Sequence, residues 1–314
     1  MSTMEEPQGV PSGFVALMGQ PNVGKSTLMN ALLGTKVAIT TSKPQTTRNR
    51  ILGVQTFGEK GQIAFLDTPG LHESTWQLNR RLNRAALQCL EEVDLVCHLV
   101  DAAAFRGWMR RGSGEGLPPE EAYVLGQIKD AAIPVILVLN KIDVLSDKVE
   151  LLPMIDALIE ARDYAAVVPV SATTKENLDQ LVEVLLEHLP EQGLLFPEDT
   201  LTDQAERFVA AEFVREQVME QTCKEIPYSV AVEVEDFRED EKRGLIEISA
   251  VIHVERDSQK GIVIGKGGSR LKAIGEAARG EMERFFGQQV FLKTFVRVEP
   301  KWSEKPRQLS RFGY

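Results

Sequence analysis

The sequence is short of cysteine and histidine. Its three cysteines, Cys89, Cys97 and Cys223, form no C-x-x-C pair and are odd in number. That argues against a disulfide framework or a zinc knuckle and fits a reducing cytosol. The four histidines, His72, His98, His188 and His253, are scattered and read as surface or core residues. Long apolar runs are also missing. A stretch such as Ile133 to Leu139 is far too short to span a bilayer, so integral insertion is excluded while peripheral membrane contact stays open. The opening residues, MSTMEEPQGVPS, are polar and contain Pro and Gly. They read as a disordered leader over 1–12 and not as a signal peptide.

What is present is ordinary globular material, with 43% hydrophobic and 26% charged residues in 314, enough for two domains. The net charge of −10 at first speaks against a nucleic-acid partner, but it is unevenly spread. From Arg256 to Tyr314 there are 13 Lys/Arg against 6 Asp/Glu, leaving 23 basic against 40 acidic side chains in the rest. An acidic body with a basic end suggests that any nucleic-acid surface lies near the C-terminus.

Over residues 13–190, short apolar runs alternate with helical periods. Strands are expected at Phe14–Met18, Gln62–Asp67, Asp94–Asp101, Pro134–Asn140 and Val167–Ser171. Helices are expected at Lys25–Leu33, Leu78–Glu91, Glu120–Ala131 and Leu178–Leu189. This alternation predicts an α/β domain with a mostly parallel sheet, whose ligands sit at the carboxyl ends of the strands. The stretch Ala104–Pro119, rich in Gly, Arg and Pro, reads as a flexible surface loop, with an auxiliary RNA contact through Arg106, Arg110 and Arg111 as the sharper alternative. Residues 191–202 form an irregular linker. Beyond it, 203–314 read as helix (Asp203–Lys224), strand (Ser229–Asp236), charged turn (Phe237–Arg243), strand (Leu245–Glu255), short helix, GKGG turn, helix (Ser269–Phe286) and strand (Gln289–Glu299).

Gly19-Gln20-Pro21-Asn22-Val23-Gly24-Lys25-Ser26, followed by Thr27, fits G-x-x-x-x-G-K-[ST] between a strand and a helix. Its backbone N–H groups and the helix N-terminus would close around phosphates. Lys25 would reach the β- and γ-phosphates and Ser26 would ligate Mg²⁺. Asp67-Thr68-Pro69-Gly70 ends the next strong strand, so Asp67 could hold Mg²⁺ and the Gly70 N–H could sense the γ-phosphate. Asn140-Lys141-Ile142-Asp143 ends another. A carboxylate at Asp143 can accept from guanine N1–H and N2–H₂, a pair that adenine lacks, while the stem of Lys141 covers the base. Ser171-Ala172-Thr173 offers a backbone N–H to guanine O6. The set predicts GTP and GDP as ligands, with Mg²⁺.

These motifs resemble the translation-factor-type GTPases. That resemblance implies a switch threonine over Mg²⁺, for which PQTTRNR offers Thr46 and Thr47, with Thr47 favoured. Where Ras-like proteins place a water-orienting glutamine after Gly70, this chain has Leu71. It looks like the hydrophobic-substituted class, in which Asn22 would ligate a K⁺ that supplies charge, and slow hydrolysis follows. On this reading Lys25, Thr47, Asp67 and Gly70 carry the reaction.

In the second domain, Gly265-Lys266-Gly267-Gly268 precedes a helix bearing Arg270 and Lys272. A G-x-x-G turn lets the backbone lie against a nucleic-acid backbone, and Ile262, Ile264, Leu271 and Ile274 could floor a groove for bases. The element order is similar to a smaller α+β type II KH domain. A phosphate-loop GTPase ending in such a domain resembles the Era family. The resemblance implies binding to the 3′ end of 16S ribosomal RNA, assistance to 30S subunit assembly, a monomer, and a cytoplasmic location, in part at the inner face of the cell membrane. An RNA-binding assembly chaperone with little hydrolysis and a related GTPase with another RNA target are the alternatives.

Overall fold

A computed structural model of the chain describes residues 9–74, 76–112, 116–129, 131–223, 226–240 and 242–314. Most of the expected leader therefore lies outside the described residues. By contacts the chain divides into two compact units. The first runs through Gly34, from Asn49 to Thr75 and from Leu82 to Asp203; the second comprises Thr35–Arg48, Trp76–Arg81 and Gln204–Tyr314.

The first unit is built on strands β1 (Ser12–Gly19), β2 (Ile51–Thr56), β3 (Gln62–Asp67), β4 (Leu95–Asp101), β5 (Val135–Asn140) and β6 (Ala166–Pro169). Their order is β2-β3-β1-β4-β5-β6, with only β2 antiparallel. The near-continuous apolar runs of β1, β3, β4 and β5 are buried along almost their whole length, as a sheet covered on both faces requires. Its helices are α1 (Lys25–Leu33), α2 (Gln77–Gln88, which crosses the division at Arg81), α3 (Ala102–Arg110), α4 (Pro119–Ile128), α5 (Leu151–Ala161) and α6 (Leu178–Glu187).

In this unit three features depart from the sequence reading. β2 had no counterpart in it; its outer edge is closed by the segment after α6, where Leu201 O accepts from Val54 N and Thr202 Oγ1 donates to Leu52 O. Covering an edge in this way stops it from pairing with another chain. The expected loop at Ala104–Pro119 is largely helical, because Asp101 caps α3 through the Ala104 N–H and Ala102 and Phe105 bury one face. Arg106 and Arg110 both pair with Glu150. Finally, α5 was not expected, yet Leu151, Met154 and Leu158 bury at helical spacing.

The second unit has strands β7 (Ala231–Asp240), β8 (Leu245–Val254) and β9 (Gln289–Val298), with β8 central, antiparallel to β7 and parallel to β9. Helices α7 (Glu206–Gln221), α8 (Asp257–Ile264) and α9 (Ser269–Phe286) supply Val209, Phe213, Val263, Ile274 and Met282 to a core shared with Ile248 and Ile252. The expected turn at Phe237–Arg243 is mostly strand. A bulge between Val234 and Asp236 resets the pairing, so Phe237 packs edge-on to Phe286 while Arg238 stands opposite Glu247. The tail adds α10 (Pro306–Arg311). Trp302 is fully buried, donates from Nε1 to Ser229 O at 2.9 Å and packs on Phe312.

Candidate functional site

The parallel strands deliver the expected nucleotide residues to one edge of the first unit. In register, Leu17 lies beside Asp67, Gly19 beside Leu99, and Asp101 beside Asn140. Gly19, Asp67 and Asn140 are thus strand ends on one side of the sheet, where open α/β folds bind ligands.

The phosphate loop leads from β1 into α1 through Gly24, whose φ of 99° lies in the left-handed region. A Cβ there would come within 2.4 Å of Asn140 Nδ2, so both the dihedral and the space demand glycine. Asn140 ties the loop down from β5, donating to Val23 O at 2.8 Å. Lys25 is buried and donates to Gln20 O at 2.8 Å and Gly19 O at 3.3 Å. Burial pushes its ammonium down to about 8, with Asp67 partly opposing the shift. A phosphate would supply the counter-charge that this buried cation has little of. Thr27 continues α1 in its first turn.

Ser26 Oγ donates to Asp67 Oδ2 at 2.5 Å. A hydroxyl and one carboxylate are hard oxygen donors suited to Mg²⁺, which takes few protein ligands and completes its shell with phosphate and water. Thr68 Oγ1 donates to Leu17 O, fixing the strand end. After Pro69, Gly70 stands against Pro21, where a Cβ would lie 2.6 Å from its backbone. Leu71 is buried and donates from its N–H to Gly19 O at 3.0 Å. The DTPG segment and the phosphate loop therefore touch through backbone.

Beyond the end of β5, Asp143 Oδ1 accepts from Ser171 Oγ at 2.6 Å, which orients the carboxylate. Ala172 N–H donates to Asn140 Oδ1 at 3.0 Å, so a guanine O6 would have to share that donor. Lys141 adopts φ 65° and its Nζ donates to Asn22 O at 2.7 Å and Asp101 Oδ2 at 2.6 Å. With its ammonium anchored, its alkyl stem is held in place. Asp101 escaped the sequence reading; its place at the end of β4, level with Asn140, was the available signal. Asn22 itself has φ 64°.

Thr46 and Thr47 belong to the second unit and are buried. Thr46 Oγ1 donates to Lys43 O at 2.8 Å and its carbonyl accepts from Arg215. Nearby Arg48 is 3% exposed, donates to Val230 O, Pro227 O and Tyr228 O, and lies over the rings of Trp302 and Tyr314. Burial lowers its pKa, with Tyr314 opposing.

In the same unit, Gly265, Gly267 and Gly268 have φ of 74°, 59° and 80°, making a tight turn between α8 and α9. Arg270 folds back to donate to Ile262 O, and exposed Lys272 pairs weakly with Glu276 at 3.7 Å. Ile262, in the last turn of α8, is 42% exposed, whereas Ile274 is fully buried. Ile274 is core, and the apolar side chains left for a groove are Ile262, Ile264 and Leu271. Among the described residues no cluster of three or more His, Cys, Asp or Glu could hold a metal, and no helix is long and apolar enough to cross a membrane. Cys89 and Cys97 are buried thiols and Cys223 an exposed one.

Comparison with known proteins finds two family matches along the chain. Residues 14–141 match the family described as 50S ribosome-binding GTPase, and residues 225–303 match the KH domain. GTPase Era of Syntrophus aciditrophicus is 46% identical over 303 residues, covering 96% of this chain and 95% of that protein. GTPase Era of Xanthomonas axonopodis pv. citri is 49% identical over 304 residues, covering 96% and 97%. Two solved structures superpose with a TM-score of 0.90 at 41% identity, each covering 97% of this chain and 99% of the other. They are a point variant of Aquifex aeolicus Era bound to GDP·AlF₄⁻, and Era in complex with MgGDPNP and nucleotides 1506–1542 of 16S ribosomal RNA.

Proposed function

The chain belongs to the GTPase Era family, and from that premise we propose that it is a GTP-hydrolysing switch that binds 16S ribosomal RNA near its 3′ end and assists assembly of the 30S subunit. The observation that carries this is the completeness of the nucleotide set. Lys25, Ser26, Asp67, Gly70, Asn140 and Asp143 all stand in one unit, with Gly19, Asp67 and Asn140 at strand ends on one side of its sheet, in a chain that also carries the GKGG turn. A chaperone with a vestigial nucleotide site would have no reason to keep all six. The Era structure with MgGDPNP and a 16S fragment supports the choice of RNA.

The residues divide the work as follows. Backbone N–H groups from Asn22 through Ser26 cradle phosphate at the start of α1, and Lys25 offers its ammonium to the β- and γ-phosphates. Ser26 and Asp67 hold Mg²⁺; the switch threonine of the sequence pattern, Thr47 or Thr46, lies in the second unit. When bound, the ion neutralises charge on the phosphates. Gly70 contributes its N–H, Asp143 reads guanine, and the Lys141 stem lies on the base. Leu71 cannot orient water, so hydrolysis is slow. K⁺ held by Asn22 supplies the charge that an arginine finger gives elsewhere. In the second unit Lys266 and the glycine turn grip RNA backbone, with Arg270 and Lys272 behind them. We set the protein in the cytoplasm as a monomer, in peripheral contact with the inner face of the cell membrane.

The test is filter binding of full-length protein, loaded with GTP or GDP, to an RNA ending in the 3′ tail of 16S ribosomal RNA and to a scrambled tail. Tighter binding of the GTP form to the native tail, with GTP turned over to GDP and phosphate, is expected. Equal affinity for both tails would overturn the RNA assignment, and an absence of turnover would leave the chaperone reading.

A further inference from the structure

Glu121, on α4, is 1% exposed and His98, on β4, is fully buried. Burying a carboxylate is costly unless it is well hydrogen-bonded. Each oxygen of Glu121 has one short partner: His98 Nε2 lies 2.6 Å from Oε1, and Gln20 Nε2 donates to Oε2 at 2.7 Å. On the far side of the imidazole, Tyr164 Oη lies 2.8 Å from Nδ1, its ring stacked on that of His98. Burial, with Glu121 adding to it, raises the Tyr164 pKa, so the phenol keeps its proton. One polarity satisfies every atom: Tyr164 O–H donates to Nδ1, His98 Nε2–H donates to Oε1, and Gln20 donates to Oε2.

The chain of bonds ends in the phosphate loop. Gln20 follows Gly19, and the Gln20 carbonyl is the nearer of the two that hold the Lys25 ammonium, at 2.8 Å. Nothing in the phosphate-loop pattern specifies Gln20, and none of the nucleotide motifs includes Glu121, His98 or Tyr164. We propose that Tyr164, His98 and Glu121 form a buried positioning relay that fixes Gln20, and through its carbonyl aims Lys25 at the phosphates of GTP. A full carboxylate serves better than a neutral acceptor, because two donors converge on it from opposite sides. The relay draws on β4, α4 and the segment between α5 and β6, and it braces the loop from the β4 side, opposite its backbone contact with Leu71. The proposal rests on the role given to Lys25 above.

The test measures kcat and KM for GTP in the full chain. The variants are Gln20→Ala, Glu121→Ala, Glu121→Gln, the Gln20→Ala/Glu121→Ala pair, and Lys25→Ala as reference. Gln20→Ala and Glu121→Ala should each raise KM about tenfold, the loss expected when a hydrogen bond governing a charged group is removed. The pair should be no worse than the worse single change, because both act through one bond. Glu121→Gln should recover most of the loss: its carbonyl still accepts from Gln20, and His98 can change tautomer to accept from the amide. Instability alone lowers the active fraction, hence kcat, and leaves KM in place. An unchanged KM in Gln20→Ala, which removes no core side chain, overturns the relay, as do losses that multiply in the pair. A wild-type KM in Lys25→Ala would overturn the reading of the site itself, and the relay with it.

Discussion

Arg215 donates from a guanidinium nitrogen to the carbonyl oxygen of Thr46 at 2.5 Å, tying the threonine-bearing segment 35–48 to α7. The cation is fully buried and grips Glu212 through two nitrogens. Glu212 holds the Arg215 pKa above its ordinary value against the cost of burial. Removing one partner of such a pair strands the other charge in the interior. Arg215→Met is expected to destabilise the chain by roughly 3–5 kcal/mol, and Arg215→Met with Glu212→Leu to recover much of that. Urea unfolding of both variants decides it, and equal losses in the two would show that the pair is not the source. In the single variant, trypsin should also cut sooner in the segment that Thr46 anchors, at Arg48.

The proposed function gives base choice to Asp143, whose Oδ1 is fixed by Ser171 at 2.6 Å. Asp143→Asn reverses the donor and acceptor pattern offered to the base, so preference should move from GTP to xanthosine triphosphate. The loss of a charge-assisted pair should cost on the order of 2–3 kcal/mol in GTP affinity. Titration of both nucleotides checks this. Unchanged GTP binding removes Asp143 from the site.

The parts of the fold and site that could be read in the sequence are those encoded within a few residues. The phosphate loop, DTPG and NKID each announce a strand end, and β3, α1 and α9 fall at their expected bounds. The antiparallel edge strand β2 was hidden because its edge is completed from Leu201 and Thr202, about 150 residues away. The α3 helix was hidden by its glycine and arginines, and is decided by a cap from Asp101 that also serves Lys141. The relay from Tyr164 to Gln20 leaves no local pattern, since its members are brought together only by the sheet and α4. The pinning of Thr46 by Arg215 is invisible for the same reason.

His253 offers a pH test. It is fully buried beside Phe312, at 4.6 Å between ring centres. Glu233 Oε2 lies 3.3 Å from its Nε2 but out of line for a hydrogen bond. Burial lowers its pKa, the nearby Glu233 carboxylate raises it in part, and Arg311 and Arg297 lower it. The folded state therefore keeps His253 neutral at pH values where the unfolded chain, at its ordinary 6.5, takes up a proton. Stability from this group is present above about pH 6.5 and is lost as pH falls below it. Urea midpoints at pH 7.5 and 5.5 should fall further in the wild type than in His253→Phe. Equal falls would show that this imidazole does not titrate on unfolding.

The counter-cation can be tested with salts alone. Leu71 is buried and apolar, and Arg48 is committed to three carbonyls of the second unit, so neither serves the reaction in this arrangement. Hydrolysis should run faster in K⁺ than in Na⁺ at equal ionic strength. Asn22→Ala should erase the difference while nucleotide binding is largely kept. Equal rates in both salts would sink the K⁺ assignment and make a partner's arginine the leading source of charge.

The last test concerns the glycine turn of the second unit. Gly267 has φ 59°, and a Cβ built there meets nothing within 4 Å. Aspartate tolerates that left-handed region better than most residues, so Gly267→Asp leaves the fold intact and alters only what the turn presents. Paired with Lys266→Asp, it replaces one positive charge by two negative ones where RNA backbone would lie. Binding to the 16S 3′ tail should be abolished by repulsion. In the wild type, affinity should fall with salt by a slope of about 0.7 per phosphate contacted, the value for single strands. GTP hydrolysis should survive the change, because Lys25, Ser26 and Asp67 stand in the other unit. Retained RNA affinity in the double variant, with hydrolysis intact, would show that the GKGG turn is not the RNA grip and move attention to the other basic residues between Arg256 and Tyr314.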